Sequence, residues 1–252
     1  MITEYHRPLT LESALELLKR QDKVILPLAG GTLLNRKVDS SMVVMDIQDL
    51  PLKDIRLAGT ELRLGAGVTL QQMIDHPVVP DTLKQACQVE TSFNLRQMST
   101  IGGCIAGAGG RSTLLALLLA YNSRIEIQPG DEVIAIGEML PVRGDYLRGK
   151  LITTVILDTT CRVTCETVEK TPADQPIAGV TLAQWPSGRT RAYVYGFGPH
   201  PKPALDGPSA AGLEPAVKNA FAGSDDLHAS SAYREALAGI LVNRCMNKME
   251  RQ

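Results

Sequence analysis

Hydrophobic and polar residues follow two different periods in the first fifty residues, one helical and one extended. Apolar side chains at helical spacing between Thr10 and Leu18 predict an amphipathic helix with Thr10 as its N-cap. Ser13 stands where a full capping box has Glu or Gln, so a partial cap is expected. Apolar runs at 23–26 and 41–47 predict two short buried strands. Their separation is too short for an ordinary crossover helix, so a βαβ unit is not expected.

The rest of the chain alternates predicted helices and strands. The apolar run from Leu114 to Ala120 predicts a buried helix capped by Ser112 or Thr113, and it is too short to span a membrane. The prolines between 199 and 208 predict an irregular loop. Strands are expected at 125–127, 133–136, 151–157, 161–168, 177–185 and 191–197, and helices at 70–74, 81–89, 211–220 and 231–251.

Two glycine pairs carry the candidate chemistry. They lie in Leu28-Ala29-Gly30-Gly31-Thr32-Leu33-Leu34-Asn35 and in Thr100-Ile101-Gly102-Gly103-Cys104. Glycines let backbone amides approach an anion with no Cβ in the way, so two such nests suit a pyrophosphate-linked cofactor. A plain tight turn is the alternative for the first pair taken alone. The first pair lacks the Gly-x-Gly-x-x-Gly of a Rossmann fold and the Gly-Lys-Ser/Thr of a Walker loop.

Four stretches of the chain carry a family resemblance. They are Ala29-Gly30-Gly31-Thr32, Val44-Met45-Asp46-Ile47, Leu62-Arg63-Leu64-Gly65-Ala66-Gly67-Val68-Thr69 and Arg96-Gln97-Met98-Ser99-Thr100-Ile101-Gly102-Gly103. In this order they resemble the FAD-binding medium subunit of the molybdenum hydroxylases, the family of xanthine dehydrogenase and carbon monoxide dehydrogenase.

The resemblance implies an α+β protein with a two-lobed FAD-binding fold of the vanillyl-alcohol oxidase type. Residues 1–51 would form an α/β lobe and residues 52–157 a second α+β lobe. Residues 158–252 would form a C-terminal domain of the carbon monoxide dehydrogenase flavoprotein type, with a three-stranded antiparallel sheet and helices. The FAD pyrophosphate would lie between the lobes on both glycine loops.

The resemblance also implies which residues contact FAD. They are Leu28, Ala29, Gly30, Gly31, Thr32, Leu33, Leu34, Asn35, Thr100, Ile101, Gly102, Gly103, Cys104, Arg111, Thr113, Met139 and Leu140. The flavin edge would approach the segment from 139 to 147.

The implied function is that of an electron-transfer subunit. It would pass electrons from a partner's 2Fe–2S clusters to FAD and then to an external acceptor, while a separate large subunit holds the molybdopterin. One alternative is a structural subunit that keeps the fold and has lost tight FAD binding. Another is a free-standing flavin enzyme, which is disfavoured because no catalytic acid, base or covalent flavin-attachment residue stands out.

Several departures from the family pattern motivate the structural alternative. Leu33 stands where the family commonly has Asp or Ser, Cys104 where it has Asn, and Thr113 where it has an acidic residue. The position of a family lysine near the flavin corresponds to Thr167 in one register and to Lys170 in another. Arg111 is either a phosphate ligand that offsets these losses or an exposed loop arginine.

Composition narrows the remaining possibilities. The chain has 252 residues, is 44% hydrophobic and has a formal net charge of −1, which gives no basis for binding nucleic acid or an acidic membrane. The polar N-terminus predicts no signal peptide, and five scattered cysteines predict free thiols in a reducing cytoplasm. Cys104 is read as an apolar filler or a redox-sensitive thiol beside the flavin. No histidine has metal-ligand spacing, so no metal site is expected.

Overall fold

The N-terminal part of the chain forms a parallel three-stranded sheet. The computed structural model describes residues 2–20, 22–34, 42–171 and 174–251. The strands lie in the order β1-β3-β2, where β1 is Ile2–His6, β2 is Ile25–Leu28 and β3 is Met42–Asp46. Helix α1 (Leu11–Leu18) connects β1 to β2 and buries Ala14 and Leu18 in the core of this sheet.

Two local expectations are corrected in this sheet, and one stays open. The strands β2 and β3 pair in parallel, a direction that the sequence did not predict. The expectation that no βαβ unit forms here stays a prediction, because most of the connecting segment lies outside the described residues. Pro27 lies inside β2 and does not end it, because an edge strand tolerates a missing N–H donor. Ser13 completes the capping box of α1, since a short hydroxyl reaches the Thr10 amide.

A second sheet has five strands in the order β4-β5-β8-β6-β7. Its strands are β4 (Ile55–Ala58), β5 (Glu61–Gly65), β6 (Arg124–Gln128), β7 (Glu132–Ala135) and β8 (Leu151–Asp158). The helices of this part are α2 (Leu70–Asp75), α4 (Phe93–Arg96), α5 (Ile101–Gly107), α7 (Ile136–Met139) and α8 (Arg143–Tyr146), with a 3₁₀ turn at Leu140–Val142. Both sheets belong to one compact unit, formed by residues 1–79, 93–107 and 123–157.

The second compact unit contains residues 80–92, 108–122 and 158–252. Its antiparallel sheet has the order β12-β11-β10-β9, with β9 (Arg162–Val168), β10 (Ala178–Gln184), β11 (Thr190–Tyr195) and β12 (Lys202–Gly207). The helices are α3 (Asp81–Glu90), α6 (Thr113–Ala120), α9 (Leu213–Phe221) and α10 (Ser231–Glu250).

Helices cover both faces of this sheet at β10. Val180 and Leu182 share a core with α9 and α10, while Thr181, which points the other way, donates to the Ala116 carbonyl of α6 at 3.3 Å. All eight residues of α6 are buried, which explains why the helix is apolar on every side. The N-cap of α6 is Ser112, whose hydroxyl accepts from the Leu115 amide at 3.0 Å, as predicted.

The C-terminal sheet corrects the expected strand count, because it has four strands and not three. The additional strand is β12, in the segment predicted as an irregular loop. Pro203 fits there because β12 is an edge strand. One boundary between the two packed units falls after residue 157, where a domain boundary is predicted, and none falls after residue 51. The predicted domains stay a prediction.

Candidate functional site

The first glycine loop follows the carboxyl end of β2, the edge of a parallel sheet where ligands commonly bind. Gly31 has φ +69°, the left-handed conformation that glycine adopts without strain. Within the described residues, no group accepts a hydrogen bond from the amides of Gly30, Gly31 or Thr32. As far as the described residues show, these amides are open donors, which is what an anion requires.

The first loop lies directly against the residues that precede the second. A Cβ on Gly30 would overlap the Met98 carbonyl, so only glycine permits this approach of the two backbones. The Ser99 hydroxyl donates to Thr32 Oγ1 at 3.0 Å. Ser99 is buried, so this bond is protected from water. Sequence reasoning missed Met98 and Ser99 as contributors, although a hydroxyl beside Thr100 was a visible signal.

The second glycine pair is part of a helix and does not form the open loop that the sequence predicted. The amides of Ile101 and Gly102 donate to the carbonyls of Val68 and Ala66, both at 3.0 Å. A Cβ on Gly102 would lie 2.7 Å from the Ala66 Cβ, so this glycine permits close packing. In the structure, Gly102 therefore allows the backbone of α5 to lie close to the backbone at Ala66.

The next two amides of this helix also have acceptors inside the chain. Gly103 donates to Thr100 Oγ1 at 3.1 Å, and Cys104 donates to the Thr100 carbonyl at 2.9 Å. The expected second set of open amides is therefore absent at residues 101–104 of the described chain. Thr100 acts as the cap of α5, and Cys104 is a buried residue of that helix.

Arg111 and Thr113 lie in the second compact unit, each with a local role. Arg111 donates from Nε to the Pro176 carbonyl at 2.8 Å and from a terminal nitrogen to the Gln175 carbonyl. Its other terminal nitrogen lies 3.0 Å from His228 Nε2. A guanidinium engaged in this way is poorly placed to hold a phosphate with two hydrogen bonds. Thr113 is buried at the start of α6. Their contact with a cofactor stays a prediction.

The remaining predicted contact residues differ in their surroundings. Met139 and Leu140 are buried, at 0% and 5% exposure, so their side chains offer little open surface to a ring. Leu28 ends β2, Ala29 packs on the core of the parallel sheet, and Leu34 is half-buried. Asn35 lies outside the described residues. All of these stay predicted contacts.

An exposed apolar segment, which sequence reasoning did not single out, precedes the second glycine pair. Phe93, Leu95 and Met98 are 61%, 42% and 53% exposed. Arg96 lies 5.0 Å from the Phe93 ring centre and donates from Nε to Gln71 Oε1 at 2.9 Å. The segment therefore presents an exposed apolar surface, with Arg96 in contact with the Phe93 ring.

The described thiols and acidic groups do not form a metal centre. No group of three or more His, Cys, Asp or Glu side chains is placed to hold a metal ion in the described ranges. Burial raises the pKa of the Cys161 and Cys245 thiols to about 12, so both are protonated at neutral pH. None of the helices in the described part of the chain has the length and apolarity that a membrane crossing requires.

Comparison with known proteins decides the family. Residues 1–158 match the model of the family described as the FAD binding domain in molybdopterin dehydrogenase. The chain belongs to this family. The open amides of the first glycine loop are compatible with the diphosphate of its cofactor. The predicted family, its FAD cofactor and the class of flavoprotein oxidoreductase subunit are thereby confirmed.

Two relatives are similar to this chain over different shares of its length. The uncharacterized protein YgfM of Escherichia coli K12 is 31% identical over 96% of this chain and 94% of its own length. The putative xanthine dehydrogenase FAD-binding subunit XdhB of the same organism is 33% identical over 49% of this chain and 45% of its own.

A solved structure confirms the fold over the whole chain. The Cu,Mo-containing carbon monoxide dehydrogenase, in its cyanide-inactivated form, includes a chain with a TM-score of 0.81 at 20% identity. The match covers 100% of this chain and 98% of that one. The predicted α+β fold class is confirmed by this likeness.

Proposed function

We propose that this chain is the FAD-binding electron-transfer subunit of a molybdenum hydroxylase-type complex. It would receive electrons from the 2Fe–2S clusters of a partner and pass them through FAD to an external acceptor. When bound, FAD supplies a flavin that accepts and releases electrons one or two at a time. The family match of residues 1–158 supports this proposal.

The observation that carries the proposal is the set of three open amides at Gly30, Gly31 and Thr32. Hydrogen bonds from backbone amides to a phosphate are charge-assisted, so a few of them suffice to position a diphosphate. The hydrogen bond from Ser99 to Thr32 holds the loop in place before a ligand arrives. This chain's residues therefore bind and orient the cofactor.

We infer two partner subunits, one that holds molybdopterin and one that holds 2Fe–2S clusters. The proposal is supported by the likeness to XdhB, named a putative xanthine dehydrogenase FAD-binding subunit, and by the fold shared with a carbon monoxide dehydrogenase chain. The cytoplasmic location stays a prediction from the sequence.

A second candidate is a structural subunit that has lost tight FAD binding. It is favoured by two observations: the amides of residues 101–104 already have acceptors in the chain, and the Arg111 guanidinium is directed at carbonyls of the C-terminal part. Both reduce the number of donors for a diphosphate.

A visible spectrum distinguishes the two candidates. The chain is purified, incubated with excess FAD and desalted. An electron carrier retains the two absorption bands of oxidised flavin in a ratio near one FAD per chain. A colourless protein that takes up no FAD supports the structural subunit and refutes the carrier. Co-expression with candidate partner subunits, followed by purification through a tag on this chain, tests assembly in both cases.

A further inference from the structure

The first glycine loop is held against helix α5 at a third point, far from the other two. A Cβ added to Gly107, the last residue of α5, would lie 2.9 Å from Leu33 Cδ1 and 3.6 Å from Leu33 Cβ. The Leu33 side chain therefore lies against Gly107, next to the volume that a larger side chain at position 107 would occupy. Leu33 is half-buried as a result.

The three anchors are divided between the two ends of α5. Gly30 and Thr32 are held at Met98 and Ser99, just before the helix begins, whereas Leu33 is held at its end. A helix of seven residues is about 10 Å long, so the loop is fixed along this length. The amides of Gly30, Gly31 and Thr32 belong to the stretch that begins at the first of these anchors and ends just before Leu33.

We propose that the contact between Leu33 and Gly107 fixes the conformation of the first glycine loop, which makes Leu33 a positioning residue for the cofactor diphosphate. Leu33 has no polar side-chain atom to bind a phosphate, so it acts through the backbone that it anchors. A loop ordered before binding loses less conformational entropy when the ligand arrives, which raises affinity. The effect on the cofactor rests on the proposed function; the effect on the loop does not.

The contact in its present form depends on the glycine at 107. Any larger side chain there displaces the Leu33 methyl group, and removal of the Leu33 side chain leaves the end of the loop unanchored. An alanine at both positions keeps a contact, because the two Cβ atoms would lie at the ordinary van der Waals distance of 3.6 Å. The double variant Leu33→Ala/Gly107→Ala is therefore a rescue of Leu33→Ala. Gly109→Ala is the matched control, since nothing lies within 4 Å of its Cβ.

The test measures the loop without the cofactor. The full chain is labelled with ¹⁵N-glycine, and order parameters are determined for the FAD-free protein, with Gly144 as an internal reference. We expect the Gly31 amide to have an order parameter of about 0.85 in the unaltered chain and below about 0.6 in Leu33→Ala. The double variant is expected to recover part of this loss, and Gly109→Ala is expected to show none.

FAD titration of the same proteins gives the second readout. Leu33→Ala is expected to raise the FAD dissociation constant roughly five- to tenfold, and the double variant less. An unchanged Gly31 order parameter in Leu33→Ala overturns the proposal, even if FAD binding weakens. The proposal is also overturned if the loop is mobile in Leu33→Ala and the double variant does not restore the Gly31 order parameter. If the order parameters behave as expected and no protein binds FAD, the role of Leu33 in fixing the loop stands, and both its effect on the cofactor and the FAD-carrier proposal fall.

Discussion

Replacement of Gly31 by alanine tests whether the first glycine loop binds FAD. At φ +69° an alanine is strained by about 1–2 kcal/mol, so the loop is expected to relax to a negative φ and turn its amides. Loss of one or two charge-assisted hydrogen bonds, each about 1.5 kcal/mol or more, weakens binding by about ten- to a hundredfold.

Gly59→Ala is a matched control for the strain. Gly59 has φ +61° in the turn between β4 and β5, and nothing lies within 4 Å of an added Cβ. Both variants should therefore lose a similar free energy of unfolding, and Tm should fall by roughly 2–4 °C for each kcal/mol. Only Gly31→Ala should lose FAD affinity. The assays are thermal unfolding without FAD and titration by flavin fluorescence.

The reasoning is refuted if Gly31→Ala binds FAD as tightly as the unaltered chain while it unfolds like Gly59→Ala. It is also refuted if both variants lose FAD affinity equally, because the loss would then follow from general destabilisation. A chain that binds no FAD in any form would instead support the structural-subunit candidate.

Three further predictions concern the second compact unit. Gly179→Ala should destabilise the protein by about 1–3 kcal/mol in urea unfolding, because its Cβ would overlap the Tyr195 ring. Arg234→Met should cost about 1–3 kcal/mol, since it removes a buried guanidinium that donates to the Ile177 carbonyl at 2.6 Å and to both oxygens of the Asp226 carboxylate at 2.9 Å. Burial raises the pKa of Tyr121 to about 12, so the unfolded chain loses this proton first as the pH rises. Stability should therefore fall between about pH 10 and 12, by roughly 3 kcal/mol from this tyrosine, and less steeply in Tyr121→Phe.

Each of these predictions has an outcome that contradicts it. Gly179→Ala with an unchanged denaturation midpoint would mean that the Tyr195 ring moves without strain. An Arg234→Met protein as stable as its parent would show that the Ile177 carbonyl finds another donor when the guanidinium is removed. An identical alkaline slope in Tyr121→Phe would assign the pH dependence to other groups.

The elements that could be predicted from the sequence are those whose signal is local. The apolar run of α6 and its Ser112 cap lie within a few neighbouring residues, and so does the turn at Gly30 and Gly31. The parallel pairing of β2 and β3 was missed because strand direction depends on residues far apart in the chain.

The second glycine pair shows why part of the site was not predictable. Glycines disfavour helices, so Gly102 and Gly103 indicated a loop. In the structure, hydrogen bonds from residues 101 and 102 to Val68 and Ala66 override that preference. The engagement of Arg111 by carbonyls 64 and 65 residues away likewise has no local sequence signal.

The burial of α6 by strands much later in the chain has a consequence for biosynthesis. The helix emerges from the ribosome well before β10 and β11, which cover it. Until β10 and β11 have been synthesised, the eight residues of α6, none of which is charged, can make non-native hydrophobic contacts. A nascent chain that stops at residue 158, the end of the family match, never acquires that cover, so holding chaperones are expected to engage it.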